Sequence, residues 1–244
     1  MLGPATLVED EGVRTSSRNG PDGAAPPGRA GSPHLIFTRP SDSLAWIRID
    51  LAQRLLPFAT MITAVWLAAR PTWLGIAPGR LPAQLGFGLA GGAGGFAAAC
   101  LLQRLLAPVR GSLRVPDGPA DAILQTAYYL LNAPIEEAVF RGLIQGGLGA
   151  LIGTAPGMAA GVAGYVLYHR LGGWAWIDVA ATALVGVPAA LAFHFLPGAP
   201  SLLGVSLLHF GATCGFLGPG PGLLRRIDAL PGPGAKAGSR RNLP

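Results

Sequence analysis

Between residues 55 and 218 the chain carries only 12 of its 30 charged side chains, spread over 164 positions. The 80 positions outside that stretch carry the other 18. A soluble domain of this length would hold about 25% charged residues to keep its surface wet, against 12% over this whole chain. Mean hydropathy is +0.45. A long, weakly charged middle between charged ends predicts an all-α, polytopic helical membrane protein with solvated tails.

Punctuation by Gly, Pro and Arg divides the chain. Residues 1–44 are rich in Gly, Pro, Ser and scattered charge. They lack the apolar run of a signal peptide and read as a disordered cytoplasmic tail. Residues 45–118 form an expected N-terminal transmembrane hairpin, and 119–218 the chemical core. Residues 219–244 read as a disordered basic tail, with Pro219, Pro221, Pro231 and Pro233 expected to break any helix. About six transmembrane helices are expected, at 55–69, 81–102, 120–151, 156–168, 174–196 and 201–217. In the second, Gly88 and Gly92, then Gly91 and Gly95, have the small-xxx-small spacing of close helix contact.

Net charge is +6, and all but one of the 18 basic residues are Arg. They cluster at the ends of apolar runs and in the tails, not on one helix face, so no nucleic-acid surface is expected. With both tails inside, the inner face holds Arg48, Arg54, Arg104, Arg110, Arg114, Arg170, Arg225 and Arg226, against Arg70 and Arg80 outside. That asymmetry obeys the positive-inside rule and predicts a multi-pass cell-membrane protein with cytoplasmic tails. Cys100 and Cys214 both fall in apolar runs and read as buried thiols.

Chemistry concentrates at Glu136-Glu137-Ala-Val-Phe-Arg141. Carboxylates in an apolar helix are costly, and therefore mark function by default. Glu137 and Arg141, four apart, share a helix face and can pair. Glu136 is rotated about 100° away and is left unneutralised by that pair. A desolvated carboxylate of this kind suits a general base.

Two histidines extend the constellation. Tyr165 and His169 are one helical turn apart, so the ring can fix the imidazole. Glu136 lies 17 residues before Gly153 and His169 lies 12 after Gly157. An antiparallel hairpin turning there brings the two within about 7 Å of the same depth. Gly142 and Gly146 on one arm, with Gly157 and Gly161 on the other, would let the backbones approach. In the last span His209 and Thr213 share a face, and His209 is favoured over His194 because it lies deeper and has that polar neighbour.

A carboxylate and two histidines inside a membrane point to amide-bond hydrolysis. His169 and His209 with a carboxylate could hold zinc or another divalent metal with an open water position. Alternatively Glu136 activates the water directly, and His209 with Thr213 stabilises the oxyanion. The H-E-x-x-H signature is absent, and no Gly-x-Ser-x-Gly elbow stands near a histidine.

The order of these motifs resembles the CAAX-processing and bacteriocin-processing (CPBP, or Abi) family of intramembrane endopeptidases, over about residues 120–217. EEAVFRGL at 136–143 is the specific part. By that resemblance Glu136 is the water-activating glutamate, with Glu137 and Arg141 beside it and His169 and His209 as the histidines of the second and third motifs. Tyr165 stands where the family has Phe. Thr213 stands where it usually has Asn, which shortens the reach and replaces an amide by a hydroxyl. The resemblance implies a protease acting on membrane-embedded or membrane-anchored peptide substrates in the bilayer, prenylated or of bacteriocin type.

Two rivals differ in mechanism. One is a non-catalytic relative, a scaffold or immunity protein that kept the helical core. The other is a cation- or proton-coupled transporter, which should show repeated halves and broken helices; no such repeat is present. The topology has its own test. Reporter fusions at Arg29 and at Ala237 are expected to read on the same, cytoplasmic face. Opposite readings would mean an odd number of crossings.

Overall fold

A computed structural model describes residues 33–227. Strand β1 (His34–Thr38) leads into α1 (Pro40–Asp50), which runs through a π-helical segment, Leu51–Leu55, into α2 (Leu56–Ala69). A 3-10 turn, Thr72–Leu74, precedes α3 (Leu81–Arg110), and β2 is Ser112–Pro116. Helix α4 (Pro119–Glu137) continues through a second π-helical segment, Ala138–Gly147, into α5 (Leu148–Ile152). Then come α6 (Thr154–Leu171), α7 (Trp176–Phe195), α8 (Leu202–Phe216) and α9 (Pro219–Arg226). The protein is an all-α membrane bundle with one two-stranded parallel sheet, paired from His34↔Ser112 to Thr38↔Pro116. The strands run parallel because the α1–α3 hairpin between them acts as the crossover.

Both tail boundaries differ from the expectation. Residues 34–44 already form β1 and the start of α1, while the rest of that expected tail lies outside the described residues. At the other end Pro219 and Pro221 sit in the first turn of α9. A proline there loses only an N–H that would have had no helical partner, so it starts a helix instead of breaking one. Pro231 and Pro233 lie outside the described residues.

Each of the six expected spans is helical, but they are not equally apolar. Among the described residues, three helices are long and apolar enough to cross a membrane: Pro40–Ala69, Leu81–Arg110 and Trp176–Phe195. Helices α8 and α9, bent by 46° at their junction, make a fourth if taken as one span. The α4–α5 helix and α6 are not among them. Their sequence is given over to buried polar groups and to glycine contact faces.

Glycines fix how closely these helices approach. On α3, Gly88 and Gly92 meet Leu207, and Gly91 and Gly95 meet Leu208 of α8. In return Gly211 lies on the backbone of Gly92, and Gly215 on that of Phe96. The small-xxx-small pattern of α3 is thus a helix contact, as its spacing predicts. Gly157 and Gly161 of α6 lie against Gln145, Gly149 and Phe140, which closes the α5–α6 hairpin at Gly153, where φ is +103°. Gly142 and Gly146, however, do not face α6. They receive Leu74 and Trp73 of the 3-10 turn. The π-helical winding from Ala138 onward changes which residues face which neighbour, and a 3.6-residue count does not anticipate it.

Gly211→Val is expected to abolish the folded state, because a side chain there meets backbone, which cannot give way. At Gly86, by contrast, an added Cβ would find nothing within 4 Å. Gly86→Ala should therefore leave stability unchanged or raise it by about 0.5–1 kcal/mol. Thermal unfolding in detergent separates the two. A Gly211→Val protein melting with the wild type would mean that α3 and α8 do not touch there.

Candidate active site

Helix α4 presents Tyr128, Asn132 and Glu136 at successive one-turn intervals, so all three line one face. Glu137 occupies the adjacent face. Both glutamates are buried, and Glu137 and Arg141 are wholly inaccessible. Two buried carboxylates side by side repel, and each requires its own cation. Arg141, one turn on, supplies the first: its Nε lies 3.1 Å from Glu137 Oε2. Its guanidinium also covers the Tyr165 ring at 5.2 Å, a cation–π contact in a dry setting.

The second cation comes from far away in sequence. Arg54, in the Leu51–Leu55 π segment, donates through Nη1 to Glu136 Oε1. The Glu137–Arg141 pair does leave Glu136 without a cation, and Arg54 supplies it. Arg54 is itself gripped on several sides. Its Nε donates to Asp50 Oδ1 at 2.8 Å, and its Nη2 to Asp50 Oδ2, to Tyr128 Oη at 2.7 Å and to Asn132 Oδ1 at 2.7 Å. The Tyr128 hydroxyl in turn donates to Asp50.

Helix α8 delivers His209 between the two glutamates. Its Nδ1 lies 2.7 Å from Glu137 Oε1. A carboxylate can only accept, so Nδ1 carries the hydrogen. Nε2 then faces Glu136 Oε2 at 3.5 Å and Tyr165 Oη at 3.4 Å. The edge of the Tyr165 ring steadies the imidazole, with centroids 5.4 Å apart and planes at 87°.

On α6 the Nδ1–H of His169 donates to the Tyr165 carbonyl at 2.7 Å, and the ring packs edge-on against Tyr165 at 4.8 Å. That bond fixes the tautomer and leaves Nε2 available to a substrate. Glu136, His169, His209 and Thr213 line one cavity of about 120 Å³, together with Arg54 and Asn132. Arg141 and Glu137 lie behind its wall. A second, mainly apolar slot opens beside it between α3, α7 and α8. It shares His169, Trp174, Thr213 and Leu217 with the first and is otherwise faced by residues such as Ala98, Ala181, Leu184 and Leu208. His194 is exposed and lines a different pocket, with Trp73 and Pro200.

Residues 119–214 match the family model described as type II CAAX prenyl endopeptidase Rce1-like. Over this segment the chain is similar to the CAAX endopeptidases. No curated protein and no solved structure matches the chain. The matched segment contains Glu136, Glu137, Arg141, His169, His209 and Thr213. Asp50 and Arg54 lie outside it, in the N-terminal hairpin.

Among the described residues, no three His, Cys, Asp or Glu side chains form a group that could hold a metal ion. His169 and His209, expected as metal ligands, line the same cavity. Each donates its Nδ1 hydrogen, His209 to Glu137 and His169 to the Tyr165 carbonyl, which leaves both Nε2 atoms free to accept.

Sequence reasoning missed Arg54 and its partners. Arg54 reads as one more positive-inside residue, yet Asp50 one turn earlier already marks an i,i+4 pair at the head of an apolar helix. The Tyr128–Asn132–Glu136 stripe is a second signal, since three polar residues at one-turn spacing on a buried helix require a polar neighbour. The Glu137–Arg141 pair invites a direct test. Arg141→Leu strands Glu137 and is expected to cost about 3–5 kcal/mol of stability. The double variant Glu137→Gln/Arg141→Leu should recover much of that loss in detergent melts. Unchanged melting of the single variant would dissolve the pair.

Proposed function

We propose that this membrane protein is an intramembrane endopeptidase that hydrolyses peptide bonds of membrane-associated substrates with water activated by Glu136. One observation carries the reading: within the matched segment, Glu136, His169 and His209 line the same cavity. Glu136 Oε1 is committed to Arg54, so Oε2, on the His209 side, is the oxygen that takes a proton from water. The water oxygen adds to the peptide carbonyl carbon, and the carbonyl oxygen becomes an oxyanion.

His209, anchored through Nδ1–H to Glu137, can carry a second proton on Nε2 and donate to that oxyanion. The Tyr165 hydroxyl, 3.4 Å from the same nitrogen, is a further donor. When the C–N bond breaks, the proton held by Glu136 passes to the leaving amine. General-base catalysis of this kind contributes about 10²–10⁴-fold, and each oxyanion donor about 10²–10³-fold. The apolar slot shared with His169 and Thr213 would take an apolar anchor on the substrate, such as a prenyl group. That places the reacting carbonyl at the polar cavity by binding energy remote from the chemistry.

The purified chain in phospholipid vesicles, offered S-farnesylated and unmodified peptides with internal and C-terminal target bonds, tests the proposal. Wild type is expected to cleave and Glu136→Gln to fall at least about 100-fold. Equal product from the two would leave the chain without the proposed activity. Thr213 sets the rate within it. A hydroxyl is shorter than an amide and reaches the oxyanion directly or through one water. Thr213→Asn is expected to raise turnover and Thr213→Val to lower it, and unchanged rates in both would remove Thr213 from the mechanism.

A further inference from the structure

We infer that Arg54 is a positioning residue for Glu136: it holds one carboxylate oxygen and thereby presents the other to the reacting water, with Asp50 as the anchor that aims it. The inference rests on the reading of Glu136 as the water-activating base, and it extends the reacting unit beyond the matched segment into the N-terminal hairpin.

The donor geometry of the guanidinium carries the argument. Its planar fork has donors in fixed directions. Nε and Nη2 engage both oxygens of Asp50 on the same helix. Nη2 also reaches Tyr128 Oη and Asn132 Oδ1 on α4. With that edge occupied, the plane of the group is set, and Nη1 is the nitrogen that meets Glu136 Oε1. Glu136 therefore cannot spin freely about its terminal torsion, which is otherwise broad and roughly two-fold. Its Oε2 stays on the side of His209 Nε2.

A counter-charge alone would not need this arrangement. Lysine provides the charge without the fork, and a lysine ammonium would not require Asp50 to orient it. The Asp50–Arg54–Tyr128 cycle orders the cation before any substrate arrives, which is the preorganisation that catalysis exploits. It also explains why both π-helical segments adjoin the site: Arg54 lies in one, and Glu137 immediately precedes the other. Such segments recur where a helix must re-aim a side chain.

Arg54→Lys and Asp50→Asn separate positioning from charge, and both keep a cation beside Glu136, which favours folding. On the farnesylated peptide that wild type cleaves best, each variant is expected to lose about 10–100-fold in kcat, as partners that orient a reacting group typically do. KM should stay within about twofold, because neither residue holds substrate. Wild-type kcat in both variants would overturn the inference. A second readout does not depend on cleavage. The carboxylate stretching bands of Glu136, identified by their loss in Glu136→Gln, report in infrared spectra how its two oxygens are bonded. They are expected to shift in Arg54→Lys and in Asp50→Asn, and unshifted bands would overturn the inference even where no peptide is cut. Absence of cleavage by wild type, with the bands shifted, would instead count against the proposed function and leave the Arg54–Glu136 arrangement standing.

Discussion

Two carboxylates on adjacent residues of a buried helix are the constraint around which this protein is arranged. Neither can be neutralised by the other, and hydrocarbon offers no solvent to screen them. Each is met by a guanidinium from a different direction, one from the same helix and one from the N-terminal hairpin. His209 bridges the pair from α8. Asp50, Glu136 and Glu137 face Arg54 and Arg141, so one positive charge on His209 completes the local balance. Two other helical segments, the one bearing Arg54 and α8, must therefore converge on α4, and glycine contacts pack α8 against α3.

Part of this was legible in the sequence, for identifiable reasons. The Glu137–Arg141 pair is local, so spacing alone reveals it. The α3 glycine pattern is equally local: its spacing predicts a close helix contact, but not that α8 is the partner. Arg54 was not legible as a site residue, because its partner lies 82 positions away and nothing in one sequence reports that distance. Gly142 and Gly146 face Leu74 and Trp73 and not α6, because the helix leaves regular α winding at Ala138, a change with no clear signature in composition. The C-terminal boundary shifts because proline, a breaker inside a helix, is a starter at the first turn of α9.

The same contrast explains why the apolar count of spans and the helices differ. The α4–α5 helix carries the buried Asn132, Glu136, Glu137 and Arg141, and that polarity keeps it out of the set of helices apolar enough to cross a membrane. The apolar helices α2, α3 and α7 carry exposed Leu and Trp side chains, such as Leu67, Leu89 and Trp176, suited to contact with lipid. The α4–α5 helix itself is two-faced: Ile123, Leu130, Leu131 and Leu151 are exposed, while Asn132, Glu136, Glu137 and Arg141 are buried on the inner side.

The small parallel sheet gains a meaning from its position. Its two strands end side by side, at Thr38 and Pro116, and each hands the chain to a helix that bears one half of the Arg54–Glu136 pair. From Pro40 to Arg54 is about 21 Å of helix, and from Pro119 to Glu136 about 26 Å. That difference is within an arginine side chain's reach. The strand pairing thus serves as a gauge that sets two separate helices to a common height. A slip of one residue would displace one helix by about 3.3 Å against the other and turn every strand side chain to the opposite face. Five residue pairs at the rim of the bundle thereby set the alignment of a contact several helical turns away in its interior.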